Sequence, residues 1–597
     1  MTMERRIYAA ALGIAVLAFS CFPARMAGQA IDPTVEVTRD YEGKLMEVHK
    51  PLFKMPVADS LQHFDLEFDY SVYDSPYKGT YDFNPYLLNT RPAPAPYSGK
   101  SLWLKAGAGY ALQPVLDFVW TPGLKGRFRM SVYGSHRSYI GRYRGIRDVY
   151  DGSQVRLEDP YRTGYGSRSG ADGSTAWSGY DMVTAAGVNG SVAWGGGEFS
   201  FDAGYYGIAA GDTVLTRGYD ALDVKMRVRS DDAAGRHFFY DAGIRYRFGE
   251  DKADLAGTAG GRGYLAEHLF GLRASLGPVF SASSRALVDV DFNFADYSAS
   301  HGAYAGDFSV TPRYVSGIGR WDLDLGVKFA VTMHGNGTLP LYSIVRGQYV
   351  YPDVRIGFEA VRDRLDIYLN LEGGNRITSW SDFLSRNRFF NPYTYGTDFL
   401  GNTVERVRAE IGIAGNIASR LAYDLRAGYV HYANAFLDGV TSDPAFGLVY
   451  TPDYAAYQMF HATLDLGWES KAFSADGSFT WRHTDVLDRT GGLFAPPAVS
   501  GHVNFIYNWN RRIYAGVDCR FASARKGEMA VISYVGDSLL PAVMPGYADL
   551  GVSLEYKFSR KFSLWVHGGN LLDMAVMQTP LYAESGVNFT AGICLNL

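Results

Sequence analysis

Twelve histidines, three cysteines and 62 acidic residues are available for chemistry in this 597-residue chain, yet their spacing builds none of the usual sites. There is no glycine-rich phosphate loop, no Cys-x-x-Cys and no His-Glu-x-x-His. Gly166-Ser-Arg-Ser-Gly170 places Arg168 where a nucleophile elbow needs serine. His431, His461 and His567 stand in separate stretches, so nothing in their spacing gathers them on one metal ion. Asp151, Glu158 and Asp159 share one loop, where they read as solvated acids or as oxygen ligands for a cation. Cys519 and Cys594 fall in candidate strands and read as small apolar side chains rather than a disulfide. The sequence therefore predicts no catalytic residues, no cofactor and no metal site, and a protein that is not an enzyme.

The charged residues are instead arranged by period. In Asp220–Arg229, Leu222, Val224, Met226 and Val228 alternate with Asp223, Lys225, Arg227 and Arg229. After a polar turn, Phe238, Tyr240, Ala242, Ile244, Tyr246 and Phe248 alternate with Asp241, Gly243, Arg245 and Arg247. A period of two means a strand with unlike faces. The same alternation recurs to the last residues, Val587, Phe589, Ala591, Ile593, Leu595 and Leu597. An apolar outside and a wet inside define a transmembrane β-barrel. Arg or Lys on a lipid face costs ~2–4 kcal/mol at mid-membrane, so the charged rows belong to the lumen. Their signs are mixed, which predicts a ladder of cross-strand ion pairs rather than a one-sign selectivity ring.

From Lys100 onward the pattern gives about 22 antiparallel strands, an even number that lets the sheet close on itself. Candidate strands run near 101–109, 113–120, 126–134 and 181–194, and on to 546–557, 561–569 and 586–597. Short connections alternate with long ones. Gly195–Gly197, Ser316–Gly319, Val361–Asp363, Asn510-Arg511 and Ser559-Arg560 are short; 135–180, 374–403, 432–454, 483–498 and 523–545 are long. Short periplasmic turns and long extracellular loops are the habit of outer-membrane barrels. Aromatics make up 15% of the chain, and Tyr-Trp clusters at candidate strand ends suit the membrane interface. The dense aromatics from Trp380 to Tyr395 read as loop packing, with ligand stacking as the alternative. A net charge of −5 without a basic stripe gives no reason to expect nucleic acid.

The N-terminus has the order of a secretory signal: Arg5 and Arg6, an apolar Ile7–Phe19, and Gly28-Gln-Ala30 for cleavage near Ala30. The predicted organisation is a signal at 1–30, an extended Pro-rich periplasmic or lumenal segment at 31–98, and the barrel at 99–597.

The C-terminal part carries a resemblance. A strand, Gly546–Phe558, turns at Ser559-Arg-Lys561 and returns as Phe562–Gly569, followed by Asn570, Leu571, Leu572 and Asp573. This resembles the closing strands of TonB-dependent receptors, where an Asn-Leu-(Phe/Leu)-Asp element follows the penultimate strand. The resemblance implies an outer-membrane location, contact with membrane lipid and assembly by the barrel-insertion machinery. Leu597 departs from it, since an aromatic last residue is usual. Thr34, Val35, Glu36, Val37 and Thr38 resemble a box that adds a strand to TonB, with an ordinary extended tail as the competing reading. Residues 31–98 are shorter than that family's globular plug. The lumen must then be filled by this segment, by the loop 135–180 folded inward, or by another protein. The function expected is transport or binding of a nutrient or other ligand, together with a surface lipoprotein or periplasmic partner. A passive porin-like channel and a structural barrel that anchors a partner are the alternatives.

Overall fold

The structure is a computed structural model. It describes residues 102–597 apart from 111, 125, 159–175, 213, 231–236, 256–263, 299–302, 337–344, 363, 393–399, 418–419, 446, 488–491, 534–535 and 584–585. The leader, Cys21, the 31–98 segment with Thr34–Thr38, and Asp159 lie outside the described residues.

Alternation decides the wall. Twenty-two antiparallel strands pair in sequence order, from Leu102–Tyr110 through Leu215–Ser230 and Phe238–Asp251 to Asn588–Asn596. The first strand then pairs with the last, from Trp103 opposite Asn596 to Tyr110 opposite Phe589. Leu597 and Leu102 complete the seam by exchanging backbone bonds of 2.7 and 2.9 Å. The ladder closes and leaves no exposed edge, as lipid requires. Every candidate strand of the sequence has its counterpart in this wall.

The two faces sort as the alternation demands. Leu222, Met226, Ile244, Tyr246 and Phe248 are exposed on the outside, while Arg247 points inward to pair with Asp223 opposite it. Arg313 gathers Asp289, Asp324 and Asp353 at 2.8, 3.1 and 3.0 Å. Arg408 meets Glu405 at 2.8 Å and Glu410 at 3.4 Å. These are the mixed-sign ladders expected of a hydrated lumen. Leu222→Arg should therefore cost ~2–4 kcal/mol. Lys225→Gln, on the inner face of the same strand, should stay within about 0.5 kcal/mol. Equilibrium unfolding in lipid checks both, and equal effects would refute the face assignment.

At one end the connections are tight turns, such as 195–196, 282–283, 319–320 and 510–512. Asn510 and Arg511 both take positive φ, 52° and 57°, as the central pair of a turn closed by Arg512 N–H on the Trp509 carbonyl at 3.0 Å, a twist that matches the flanking strands. At the other end most connections are long, although 111–114, 212–214 and 299–302 are as short as the turns. Several strands overrun their sequence bounds at this outer end. Leu421–Asp443 has 23 residues, against the ~9–11 that cross a membrane. Phe128–Arg144 and Ala176–Trp194 likewise take residues from the connection 135–180.

The surplus builds a second sheet among the loops at the outer end. Arg147–Tyr150 pairs with Val155–Glu158, which runs parallel to Ser538–Met544. That strand pairs with Arg525–Val531, which lies parallel to the projecting end of Leu421–Asp443. Val155, Leu157, Val440, Phe494, Met529, Met544 and Met577 form its buried core. Arg525 fastens it, pairing with Asp438 at 2.7 Å and donating to the Ala495 carbonyl at 2.9 Å.

Candidate functional site

Beneath this sheet one connection folds inward. Thr378 N–H bonds the Gly401 carbonyl at 2.9 Å, which pinches the loop at its base. Ser379 caps the short helix α1, Trp380–Arg386, through a capping box with Asp382. Dense aromatics with no period cannot form a wall strand; here they form a small core. Trp380, Phe383 and Leu384 are fully buried against Tyr219, Leu265, Leu269, Tyr297 and Tyr450. The aromatics of this segment thus pack, as expected, and they do so inside the barrel mouth. Tyr393 and Tyr395 lie outside the described residues. Among the described residues this segment lies inside the mouth, and residues 147–158 of the connection 135–180 join the second sheet.

Polar groups on three wall strands hold the loop. The Trp380 indole N–H donates to Asp251 at 2.9 Å, and Arg217 Nε donates to the same carboxylate at 3.2 Å. Arg217 Nη1 also reaches the Arg388 carbonyl at 2.7 Å. Ser381 N–H donates to Glu267 at 3.4 Å, and Tyr219 donates to the other Glu267 oxygen at 2.5 Å. The Arg217 and Asp251 side chains are completely buried. Inside the barrel such a pair persists because each partner has further hydrogen bonds.

The last long connection, 570–587, braces the loop from the other side. Thr579 Oγ1 donates to the Arg386 carbonyl at 3.1 Å and Tyr582 to the Phe389 carbonyl at 3.2 Å. Burial pushes the phenol of Tyr582 well above its ordinary range. The same holds for Tyr450, whose hydroxyl donates to Asp438 at 2.7 Å. Between this connection, the loop and the wall lies a cavity of 410 Å³. Tyr139, Tyr143, Asp181, Arg386, Asn387 and Arg388 contribute to its lining. Tyr143 stacks on Trp177 at 4.3 Å, and Phe389 on Tyr582 at 5.6 Å.

Asn570-Leu-Leu-Asp573 is a turn, and its chemistry is structural. Asn570 and Asp573 take positive φ, 45° and 52°. The Asn570 side chain accepts from Met574 N–H at 3.0 Å and donates to the Met574 carbonyl at 2.8 Å. Its own N–H donates to Asp549 at 3.1 Å, while Asp573 pairs with Arg144 on the neighbouring wall. The motif thus aims the 574–587 segment into the mouth. The remaining candidates are dispersed. His461 bonds Glu410 at 2.8 Å, and His567 lies 3.6 Å from Asp518. Asp151 accepts from Ser153 and Gln154, and the Ser153 hydroxyl leads in holding its carboxyl below the ordinary range. Cys519 and Cys594 are free thiols. Among the described residues no three His, Cys, Asp or Glu side chains converge as a metal site.

Solved structures that this chain resembles include transport barrels. The FrpB iron transporter from Neisseria meningitidis superposes with a TM-score of 0.59 at 10% identity, over 83% of this chain and 81% of that one. The copper transporter OprC gives 0.55 at 12% identity, over 84% and 80%. The ferric-catecholate import receptor Fiu of K12 E. coli gives 0.56 at 11% identity, over 83% and 82%. The fold is that of the TonB-dependent receptor barrel. At these identities the likeness is one of fold. No protein-family model matches the sequence, and no curated protein is similar to it. Within the TonB-dependent receptor fold, the anchoring residues Arg217, Asp251 and Glu267 and the loop they hold are features of this chain that the alternation alone did not single out.

Proposed function

We propose that this chain is an outer-membrane receptor that binds a small nutrient solute at its outer mouth and passes it inward, coupled to TonB and working with a partner protein. One observation carries the reading: a barrel of 22 strands whose outer opening is occupied by its own anchored loop and covered by a sheet of its other loops. A passive pore has no use for such a cover. The neighbours, by name transporters of iron and copper and an import receptor, agree with uptake as the task. Residues 1–30 serve as the export signal and 31–98 as the periplasmic or lumenal arm, with Thr34–Thr38 as the TonB contact.

Two measurements test this. Purified full-length protein should capture the periplasmic domain of TonB, and the same protein lacking residues 34–38 should capture at least tenfold less. Equal capture by both, or by neither, would remove the coupling. Purification from the native outer membrane in mild detergent should bring a stoichiometric lipoprotein or periplasmic protein. A barrel recovered alone would remove the partner.

A further inference from the structure

Close to the turn 195–196, the inner wall carries cations that its own acids do not match. On four neighbouring strands Arg129, Ser191, Ser200 and Arg227 stand in one row across the sheet. The next row toward the outer end is Ser131, Asn189, Asp202 and Lys225, continued by Arg245. The small side chains leave a recess of 440 Å³, which Arg129, Lys225 and Arg227 also line. Asp202 accepts from Tyr133 at 2.9 Å, and Arg227 donates to Asp241 at 2.7 Å. Arg245 and Arg247 share Asp223. Arg129 and Lys225 are exposed to the lumen and make no ion pair within 4 Å among the described residues.

The chain enters the wall beside this recess. Leu102, where the described residues begin, is level with Trp120 and through it with Val132, on the strand that carries Arg129. Two strand spacings, ~10 Å, separate them across the sheet. Upstream of that point, residues 55–77 hold Asp59, Asp65, Glu67, Asp69 and Asp74 and no Lys or Arg. Asp65, Glu67 and Asp69 alternate with Leu66, Phe68 and Tyr70, so an extended backbone puts the three carboxylates on one side. Along such a backbone Asp65 and Asp69 lie ~13 Å apart, and Arg129 and Arg227, three strands apart, are separated by ~14 Å. The linker from Asp74 to the wall is about 25 residues with a span of ~30 Å, which keeps the acids near the recess at roughly millimolar effective concentration. Tethering at that concentration lets weak exposed pairs hold a segment that they could not recruit from solution.

We propose that the acidic stretch 59–74 lies extended on this inner face, its carboxylates against Arg129, Lys225 and Arg227, so that the chain's own arm occupies this side of the lumen. A solute anion would meet the same cations, but nothing tethers it there. The proposal rests on the reading of 31–98 as an arm that follows an export signal, and it gives that arm a place.

The test is disulfide trapping in the purified full-length protein. Ser200→Cys is combined in turn with Ser60→Cys, Ser71→Cys and Ser75→Cys, and mass spectrometry of the alkylated digest reads the bridged fraction. At least one pair should bridge about fivefold more than the same arm cysteine combined with Ser478→Cys, an inner position on the far side of the wall. Single-cysteine variants measure any bridge to Cys519 or Cys594. Arg129→Gln and Lys225→Gln together should lower the bridging about 2- to 10-fold, and salt that cuts the Debye length to ~3 Å should do the same. The heat-dependent shift of the barrel on electrophoresis confirms that each variant is folded. No bridge at any of the three arm positions, equal bridging to Ser478→Cys, or bridging untouched by loss of both charges would overturn the proposal. A bridge to a co-purified protein would give the face to a partner, and bridging lost in phosphate but kept in chloride of equal ionic strength would give it to a free anion; either result overturns the proposal. Neither TonB nor a partner is added, so failure here leaves the TonB capture result standing, and the reverse.

Discussion

Replacing residues 380–391 with a Gly-Ser linker of equal length should make cells that carry the barrel sensitive to large hydrophilic antibiotics that the outer membrane excludes. The segment supplies Trp380, Phe383, Leu384 and Phe390 to the buried cluster in the mouth. It is also what Thr579 and Tyr582 hold from the opposite connection. With the loop gone the covering sheet loses its support, and the wall itself, closed by its own ladder, stays intact. A barrel of this strand number has a lumen that natural examples keep filled. The expected result is a fall of tenfold or more in the inhibitory concentration, with unchanged barrel levels in the membrane. Unchanged sensitivity at equal levels would show that the loop does not close the path.

The second large effect is on the loop's anchor. Arg217→Ala should cost about 3–5 kcal/mol, because it leaves the buried Asp251 carboxylate with the Trp380 indole as its remaining side-chain donor. It also removes the bond to the Arg388 carbonyl. The loss should fall mainly on local opening of 378–401 rather than on the wall, whose ladder Arg217 still makes through its backbone. Hydrogen exchange in this segment should quicken by roughly two to four powers of ten. Pairing the change with Asp251→Leu should recover much of the loss, since apolar replacement of both partners of a buried pair is often neutral or stabilising. Exchange that quickens equally throughout the barrel would contradict a local anchor. No change in the segment would show that Asp251 and Arg217 do not hold it.

The contrast between what the sequence disclosed and what it did not follows from range. A wall strand announces itself locally. Leu222, Val224, Met226 and Val228 alternate with charges whatever their partners, so the strands and their order could be read one at a time. Asn570–Asp573 was legible as a family-like element, and the structure shows it as a turn with positive φ at Asn570 and Asp573, where short polar residues are tolerated. The loop in the mouth was not. Trp380, Phe383 and Phe390 have no period, and their burial depends on wall residues far away in the chain. Arg217, Asp251 and Glu267 looked like any other lumenal charge, since alternation gives the face but not the depth along the barrel. The strands of the covering sheet are short, four to seven residues in Arg147–Tyr150, Val155–Glu158 and Ser538–Met544. Their pairings join distant loops, some in parallel, and no local pattern marks them.

The most direct test of a barrel closed at its outer mouth by its own loops is the conductance of the intact, full-length protein in a planar lipid bilayer. Insertion should give no lasting open channel in salt, and stable steps should appear only in the variant with residues 380–391 replaced. Long-lived open steps from the unaltered protein would contradict closure and make it a passive channel.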